Sequence, residues 1–300
     1  MLPNFLIGGG VAAGTSFLSA TIAHHPDIYL PRIQRPEPNF FHYSAKYNQG
    51  LDWYQQNYFH EVADETAVGE RSSLLLTSPE ASERIAASLP QIKLVFCLRN
   101  PIERAWANYR FSVLEGLEAL SFADAMAQED ERMRKAEGRW AEVQPNAYVN
   151  RSRYAGGLKK YISLFGRENI LLLKSEDLGS QPGENVSRVC TFLNVEPRSD
   201  LPLPPNYSSP SVVDPVIQTE LRAYFGDRFS QLIETIRKED KTSSVQVSEQ
   251  DEVNVERLRE NLRGQKDPMP EECRQRLRAL LKDDIAAVQD MVDFSVGDWT

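Results

Sequence analysis

The chain has 300 residues, 41% of them apolar, enough for one large α/β domain or two small ones with a substantial core. Its 34 basic and 43 acidic residues leave a net charge of −9, which opposes nonspecific attraction to nucleic acid or an anionic membrane, so a polyanionic ligand needs a local basic cleft. No apolar run approaches the roughly 18 residues that span a bilayer and the start lacks a signal-peptide pattern, so the expectation is a soluble, cytoplasmic protein with no membrane span and no nucleic-acid partner.

Leu2–Gly8 reads as a short apolar strand, followed by a Gly/Ala-rich turn and by Thr15-Ser16 opening a helical stretch over 17–23. The turn, GGGVAAGTS over 8–16, lets backbone N–H groups approach an anion and adds two hydroxyls at a helix N-terminus, a cradle for phosphate. It is not a Walker A loop, because the Lys-Ser/Thr pair that closes GxxxxGK[ST] is absent. On this segment alone, a glycine turn with no ligand stands as the alternative.

Core strands are expected at Lys93–Leu98 and Asn169–Lys174, with helical spacing over Pro79–Leu89, Ile102–Leu114, Ser121–Glu137 and Arg151–Leu164. Strands alternating with helices imply a parallel sheet with helices packed on it, in a single α/β domain over 1–300. Ligands of such sheets bind at the carboxyl ends of strands, where 9–16 and Arg99 both fall. A proline-rich stretch over 196–215 reads as a long extended loop and the polar stretch 241–252 as mobile, before a strong helix over Pro270–Val292. The three cysteines, Cys97, Cys190 and Cys273, form no CxxC pair and no histidine lies at ligand spacing, so neither a disulfide framework nor a metal site is indicated.

A second motif, LRNPIERAWANY over 98–109, leaves a strand through Arg99 and opens a helix at a proline. Arg99 then projects into the ligand crevice, where its guanidinium fork can hold a phosphate bidentately. Arg104 is expected to pair with Glu103 or a neighbouring surface acid.

With these two motifs the chain resembles the sulfotransferases that use 3'-phosphoadenosine 5'-phosphosulfate (PAPS), especially their carbohydrate-type and bacterial branch. Gly9, Gly14, Thr15 and Ser16 match the family's 5'-phosphosulfate loop, I-G-x-x-K-x-G-T-T. Arg99, Asn100, Pro101, Arg104, Ala105 and Tyr109 match its 3'-phosphate motif. Further on, 35–41 (RPEPNFF) is similar to K-E-P-x-F-F, 69–72 (GERS) to G-E-K-S/T, and 175–178 (SEDL) to a closing E-D-L. Arg263-Gly264-Gln265-Lys266 resembles the K-G-R loop over the 3'-phosphate, and Asp298-Trp299 sits where family members often finish.

The resemblance implies a P-loop-like central parallel sheet flanked by helices, and transfer of a sulfuryl group from PAPS to a hydroxyl or amine of a carbohydrate or other small acceptor, with release of adenosine 3',5'-bisphosphate (PAP) and no metal. It assigns Gly10, Ala12, Ala13, Gly14, Thr15, Ser16, Arg99, Arg263, Gly264 and Lys266 to the nucleotide and Glu37, between two prolines, to the general base. Two positions depart from the pattern. Ala12 stands where the family has the loop lysine and Ala107 where it has a 3'-phosphate serine. Losing a preorganised cation is worth on the order of 3 kcal/mol of transition-state stabilisation, so another must substitute. Arg32, Arg35 and Arg71 are the candidates, and Arg35, two residues before Glu37, is the expected one. His42 and His60 are rival bases, while His24 and His25 read as capping or packing residues.

Two other readings stay open. A degenerate nucleotide-binding protein of the same fold accounts for Ala12 and Ala107. A nucleotide-dependent kinase requires a loop lysine and an aspartate for magnesium, and the loop has no lysine.

Overall fold

The run Phe-Leu-Ile-Gly-Gly is apolar throughout and buried on both faces, as a central parallel strand requires, and it forms β1 over Phe5–Gly9. β1 pairs in parallel with β3 (Ala67–Arg71) on one edge and with β4 (Lys93–Leu98) on the other. The short β2 (Ile28–Tyr29) lies outside β3 and β5 (Ile170–Lys174) outside β4, giving the order β2-β3-β1-β4-β5. The α/β class with a P-loop-like parallel sheet flanked by helices, expected from the sequence, is therefore present. The chain places β2 and β3 on one side of β1 and β4 and β5 on the other, so the strand order reverses at β1. The crevice at that reversal, beyond the carboxyl ends of β1, β3 and β4, is where such sheets bind ligands.

These features come from a computed structural model that describes residues 1–32, 37–204, 210–239, 248 and 251–299. By backbone contacts the chain groups into two compact units. The first comprises 1–104, 150–205 and 278–300, and the second 105–149 and 206–277. No helix among the described residues is long and apolar enough to cross a membrane.

In the first unit one face of the sheet contributes Ile7, Val95, Cys97 and Leu173 to a core with Leu18 and Ile22 of helix Thr15–Ile22 and Val186, Val189 and Leu193 of helix Pro182–Leu193. On the same sheet, the Phe96 ring meets Tyr161 of helix Ala155–Phe165 at 4.9 Å. Each large apolar side chain fully buried in this way stabilises by roughly 1.5–3 kcal/mol. Burial pushes the Cys97 thiol up to about 12, which fits its reading as an inert hydrophobe.

The second unit is helical. Helices Pro215–Phe225, Phe229–Glu239 and Glu252–Asn261 bury Leu221, Phe225, Phe229, Ile233, Val255 and Leu258 against Leu114. The expected helix over 121–137 is two helices, Phe122–Ala127 and Glu129–Lys135, each opening at a break near Ser121 or Gln128. Part of the 196–215 loop and most of 241–252 lie outside the described residues, and Glu252 already belongs to a helix.

Candidate functional site

β1 ends in a glycine that no other residue could replace without displacement. Gly9 has a φ of 141° and a Cβ there would lie 2.1 Å from the Cys97 carbonyl oxygen. The chain then turns through Ala12, an alanine held at φ 66°, and through Gly14 at φ 88°, which stands at the N-cap of helix Thr15–Ile22 without a side-chain cap. Ala12 and Ser16 are exposed and Ala13 and Thr15 buried, so the turn presents backbone and the Ser16 hydroxyl outward. An uncapped helix N-terminus following a small-residue loop is suited to an anion.

Arg99 follows β4 directly. Its Nη1 donates to the Ala12 carbonyl at 3.1 Å, so the second motif reaches the first loop as the sequence implied. Its own carbonyl accepts from the Tyr154 hydroxyl at 3.1 Å. Asn100 caps helix Pro101–Leu114, its Oδ1 accepting from the N–H of Ile102 at 3.0 Å and of Glu103 at 3.4 Å, while its own N–H donates to Glu176 at 2.9 Å. Arg104, expected to pair with Glu103 or a neighbouring surface acid, is not a surface residue. It is fully buried, with Nε donating to Ser152 Oγ at 2.8 Å, and its Cδ would lie 2.9 Å from a Cβ at Gly10. Arg104 therefore supports the loop from beneath.

Glu37 is the residue on which the contacts converge. One carboxylate oxygen accepts from Arg71 Nη1 at 2.5 Å, and the other from Ser73 N and Ser73 Oγ, both at 2.7 Å, and from Asn39 Nδ2 at 3.3 Å. The same Arg71 Nη1 donates to Ser16 Oγ at 2.7 Å. Thus one guanidinium joins the loop after β1 to the expected base. The side chains of Arg71 and Glu37 are 9% and 16% exposed, so the pair is largely withdrawn from water. Of the other candidate cations, Arg32 is 91% exposed beside Glu61 at 3.9 Å and does not reach the loop. Arg35, the expected substitute, lies outside the described residues.

Behind this pair sit two further charged groups. Lys46 Nζ donates to the carbonyls of Pro38 at 2.5 Å and Glu37 at 3.4 Å, and burial pulls its ammonium below the usual range. Glu70, fully buried next to Arg71 in β3, accepts from Ser72 Oγ at 2.6 Å, and the Ser72 oxygen in turn accepts the Asn39 N–H at 2.9 Å. Burial first, then the neighbouring Glu37, push the Glu70 carboxyl up to about 8. Of the histidines, His25 is a buried packing residue whose ring contacts the Glu196 carbonyl at 2.9 Å, and His60 is exposed.

Arg263, Gly264 and Lys266 belong to the second unit, as does the half-buried Ala107. There Gly264 N–H donates to the Ser211 carbonyl at 2.9 Å, and a Cβ on Gly264 would lie 2.8 Å from backbone atoms of Val212.

Ser73 and Lys46 escaped sequence reasoning, and Glu70 entered it only as part of the GERS segment. The only signal for Ser73 is its place beside that segment, since β3 interrupts its apolar run with Gly, Glu and Arg and so carries no strand periodicity. Lys46 has the composition of a surface residue in a polar stretch.

A parallel sheet whose central strand opens into a small-residue loop, with arginines at the ends of both neighbouring strands, defines a P-loop-like α/β protein. Residues 3–259 match the sulfotransferase domain family. The chain belongs to that family. Among curated relatives, heparan sulfate glucosamine 3-O-sulfotransferase 6 of Homo sapiens is 28% identical over 199 residues, 65% of this chain and 53% of that protein. Bifunctional heparan sulfate N-deacetylase/N-sulfotransferase 1 of Caenorhabditis briggsae is 27% identical over 201 residues, 65% of this chain and 23% of that protein. This chain thus matches about half or less of the length of these relatives. A sulfotransferase from Alicyclobacillus acidocaldarius has the same fold, with a TM-score of 0.70 at 23% identity covering 100% of this chain and 99% of that one.

Proposed function

We propose that the protein transfers a sulfuryl group from PAPS to a hydroxyl or amine of a carbohydrate or other small acceptor and releases PAP. The observation that carries this reading is the single guanidinium of Arg71 that touches both Ser16 in the anion loop and the carboxylate of Glu37. A transferase of this kind needs a base for the incoming acceptor and a cation for the departing phosphate within reach of each other, and Arg71 with Glu37 supplies both.

Glu37 receives four donors, three of them on Oε2 and Arg71 alone on Oε1, so Oε1 is the oxygen with a lone-pair direction left for an incoming proton. The positive charge of Arg71 opposes that protonation. Arg71 is the donor with a second partner already in the loop, so a shift of its guanidinium toward a phosphate held at Ser16 frees Glu37 Oε1. Glu37 then accepts the acceptor's proton as the acceptor oxygen or nitrogen bonds to sulfur. The bond between sulfur and the bridging phosphate oxygen breaks, and Arg71 meets the charge that develops on that oxygen. Arg71 thereby takes the part that Ala12 cannot play. Arg99 and the loop residues Gly10, Ala12, Ala13, Gly14, Thr15 and Ser16 hold the nucleotide in this reading. Arg263, Gly264 and Lys266 are assigned to it on the resemblance alone.

The test is transfer of labelled sulfate from PAPS to a panel of sugars, lipids and phenols, with Glu37→Ala and Arg71→Ala as controls. Transfer that both substitutions abolish supports the reading. PAP binding with no transfer to any acceptor supports instead a nucleotide-binding protein without chemistry, the reading that the absent cation at Ala12 favours. No rise in melting temperature at saturating PAPS or PAP overturns both.

A further inference from the structure

Asp298-Trp299 is a sequence motif that the proposed chemistry leaves unused, and it lies against the strand end that carries Arg99. Asn100 spends its Oδ1 and its N–H on capping helix Pro101–Leu114 and on Glu176. Its remaining donor, Nδ2, goes to the Asp298 carbonyl at 3.2 Å. Arg99 is held through its carbonyl by Tyr154, and the Tyr154 ring packs edge-on to the indole of Trp299 at 6.4 Å and 68°. Two adjacent residues therefore hold the Arg99-Asn100 pair, one directly and the other through a tyrosine.

The segment is itself clipped to the sheet. Lys174 ends β5, in register with Leu98 at the end of β4, and its ammonium donates to Asp298 Oδ1 at 2.7 Å and to the Ser295 carbonyl at 3.1 Å. Trp299 is fully buried, and its N–H has no hydrogen-bond partner among the described residues. A buried indole normally finds one, so the ring is kept there for its shape and packing.

We propose that residues 295–299 are a positioning element for nucleotide binding, fixing the Arg99-Asn100 backbone so that the Arg99 fork is aimed at the nucleotide phosphate. This rests on the reading of Arg99 as a nucleotide contact given under Proposed function. In this proposal neither Asp298 nor Trp299 is a nucleotide contact. They act through Asn100, Tyr154 and Lys174, and the effect arises because a charged fork that drifts by an ångström loses its bidentate geometry.

The experiment measures PAP affinity by calorimetry on the 300-residue chain, and urea stability without ligand, for Trp299→Ala, Trp299→Phe, Asp298→Ala and a control, Leu281→Ala. Leu281 is fully buried in helix Glu271–Gln289 and belongs neither to 295–299 nor to the Arg99 motif, so its truncation is expected to lower stability alone. Trp299→Ala and Asp298→Ala are expected to weaken PAP by about tenfold, while Trp299→Phe, which forfeits no hydrogen bond, stays within about twofold of the parent. If Trp299→Ala fails to fold, Asp298→Ala carries the test, because that carboxylate is 57% exposed. Unchanged affinity in the alanine variants, or an equal loss in Leu281→Ala, overturns the proposal while leaving the nucleotide site intact. A parent chain that binds no PAP overturns the functional reading first, and this proposal with it.

Discussion

The guanidinium of Arg71 and the carboxylate of Glu37 meet at 2.5 Å in a setting nearly closed to water, across the gap between β3 and the turn that follows residue 36. In such a setting the attraction is weakly screened, and removing one partner leaves the other charge stranded, which costs about 3–5 kcal/mol when burial is complete.

Arg71→Ala is therefore expected to lower the transfer rate by about a hundredfold or more and also to destabilise the fold, whereas Arg71→Lys retains a charge with one contact fewer and falls between. Initial rates from PAPS and urea midpoints for the three proteins check this. Equal rates for Arg71→Ala and the parent would remove Arg71 from the chemistry.

Glu37→Gln separates binding from proton transfer. The carboxamide oxygen still accepts from Ser73, so PAP affinity should change by no more than about twofold, while transfer falls by at least about a hundredfold. A calorimetric titration beside a rate measurement decides it.

Ala12 predicts a gain of stability. An L-residue with a Cβ in the left-handed region bears roughly 1–2 kcal/mol of strain that glycine does not, so Ala12→Gly is expected to raise stability by about 1 kcal/mol, less the extra chain entropy of glycine. Urea unfolding measures it, and a variant less stable than the parent would contradict the strain at this position.

Glu70 makes stability fall as pH rises. Burial lifts its folded value from 4.5 to about 8, so between these values the unfolded chain has released the proton and the folded chain keeps it. Folding then becomes less favourable with each pH step, by up to about 1.4 kcal/mol per unit, and the dependence flattens above pH 8. Glu70→Gln, which still accepts from Ser72, should lack this slope in urea unfolding run from pH 5 to 8. Parallel pH curves for the two proteins would show that Glu70 folds in its charged form.

Much of the sheet is legible from apolar runs. Lys93–Leu98 is found as expected, and β1 and β5 differ from expectation only at their ends. β2 has two residues and β3 carries Gly69, Glu70 and Arg71 inside a buried strand, so neither gives the hydrophobic signal by which strands are read. That failure falls on the functional strand, because a strand end that brings charge to a crevice must break the pattern that marks it as a strand. The loop after β1 and Arg99 were readable because small residues and a charged strand end announce their use. The partnership of Arg71 with Glu37 was not, since it joins residues distant in sequence whose neighbours, Ser16 and Ser73, are ordinary serines.

The pairing of β1 bears on how the protein is made. Phe5 has its partners at Gly69 and Lys93, so during synthesis this apolar strand leaves the ribosome long before either neighbour exists. One edge stays open to other chains until β3 is translated and the other until β4 is, which is the condition under which nascent proteins aggregate or engage chaperones. Soluble yield in a heterologous host should therefore follow the supply of chaperones that hold nascent chains more closely than it follows the stability of the finished fold.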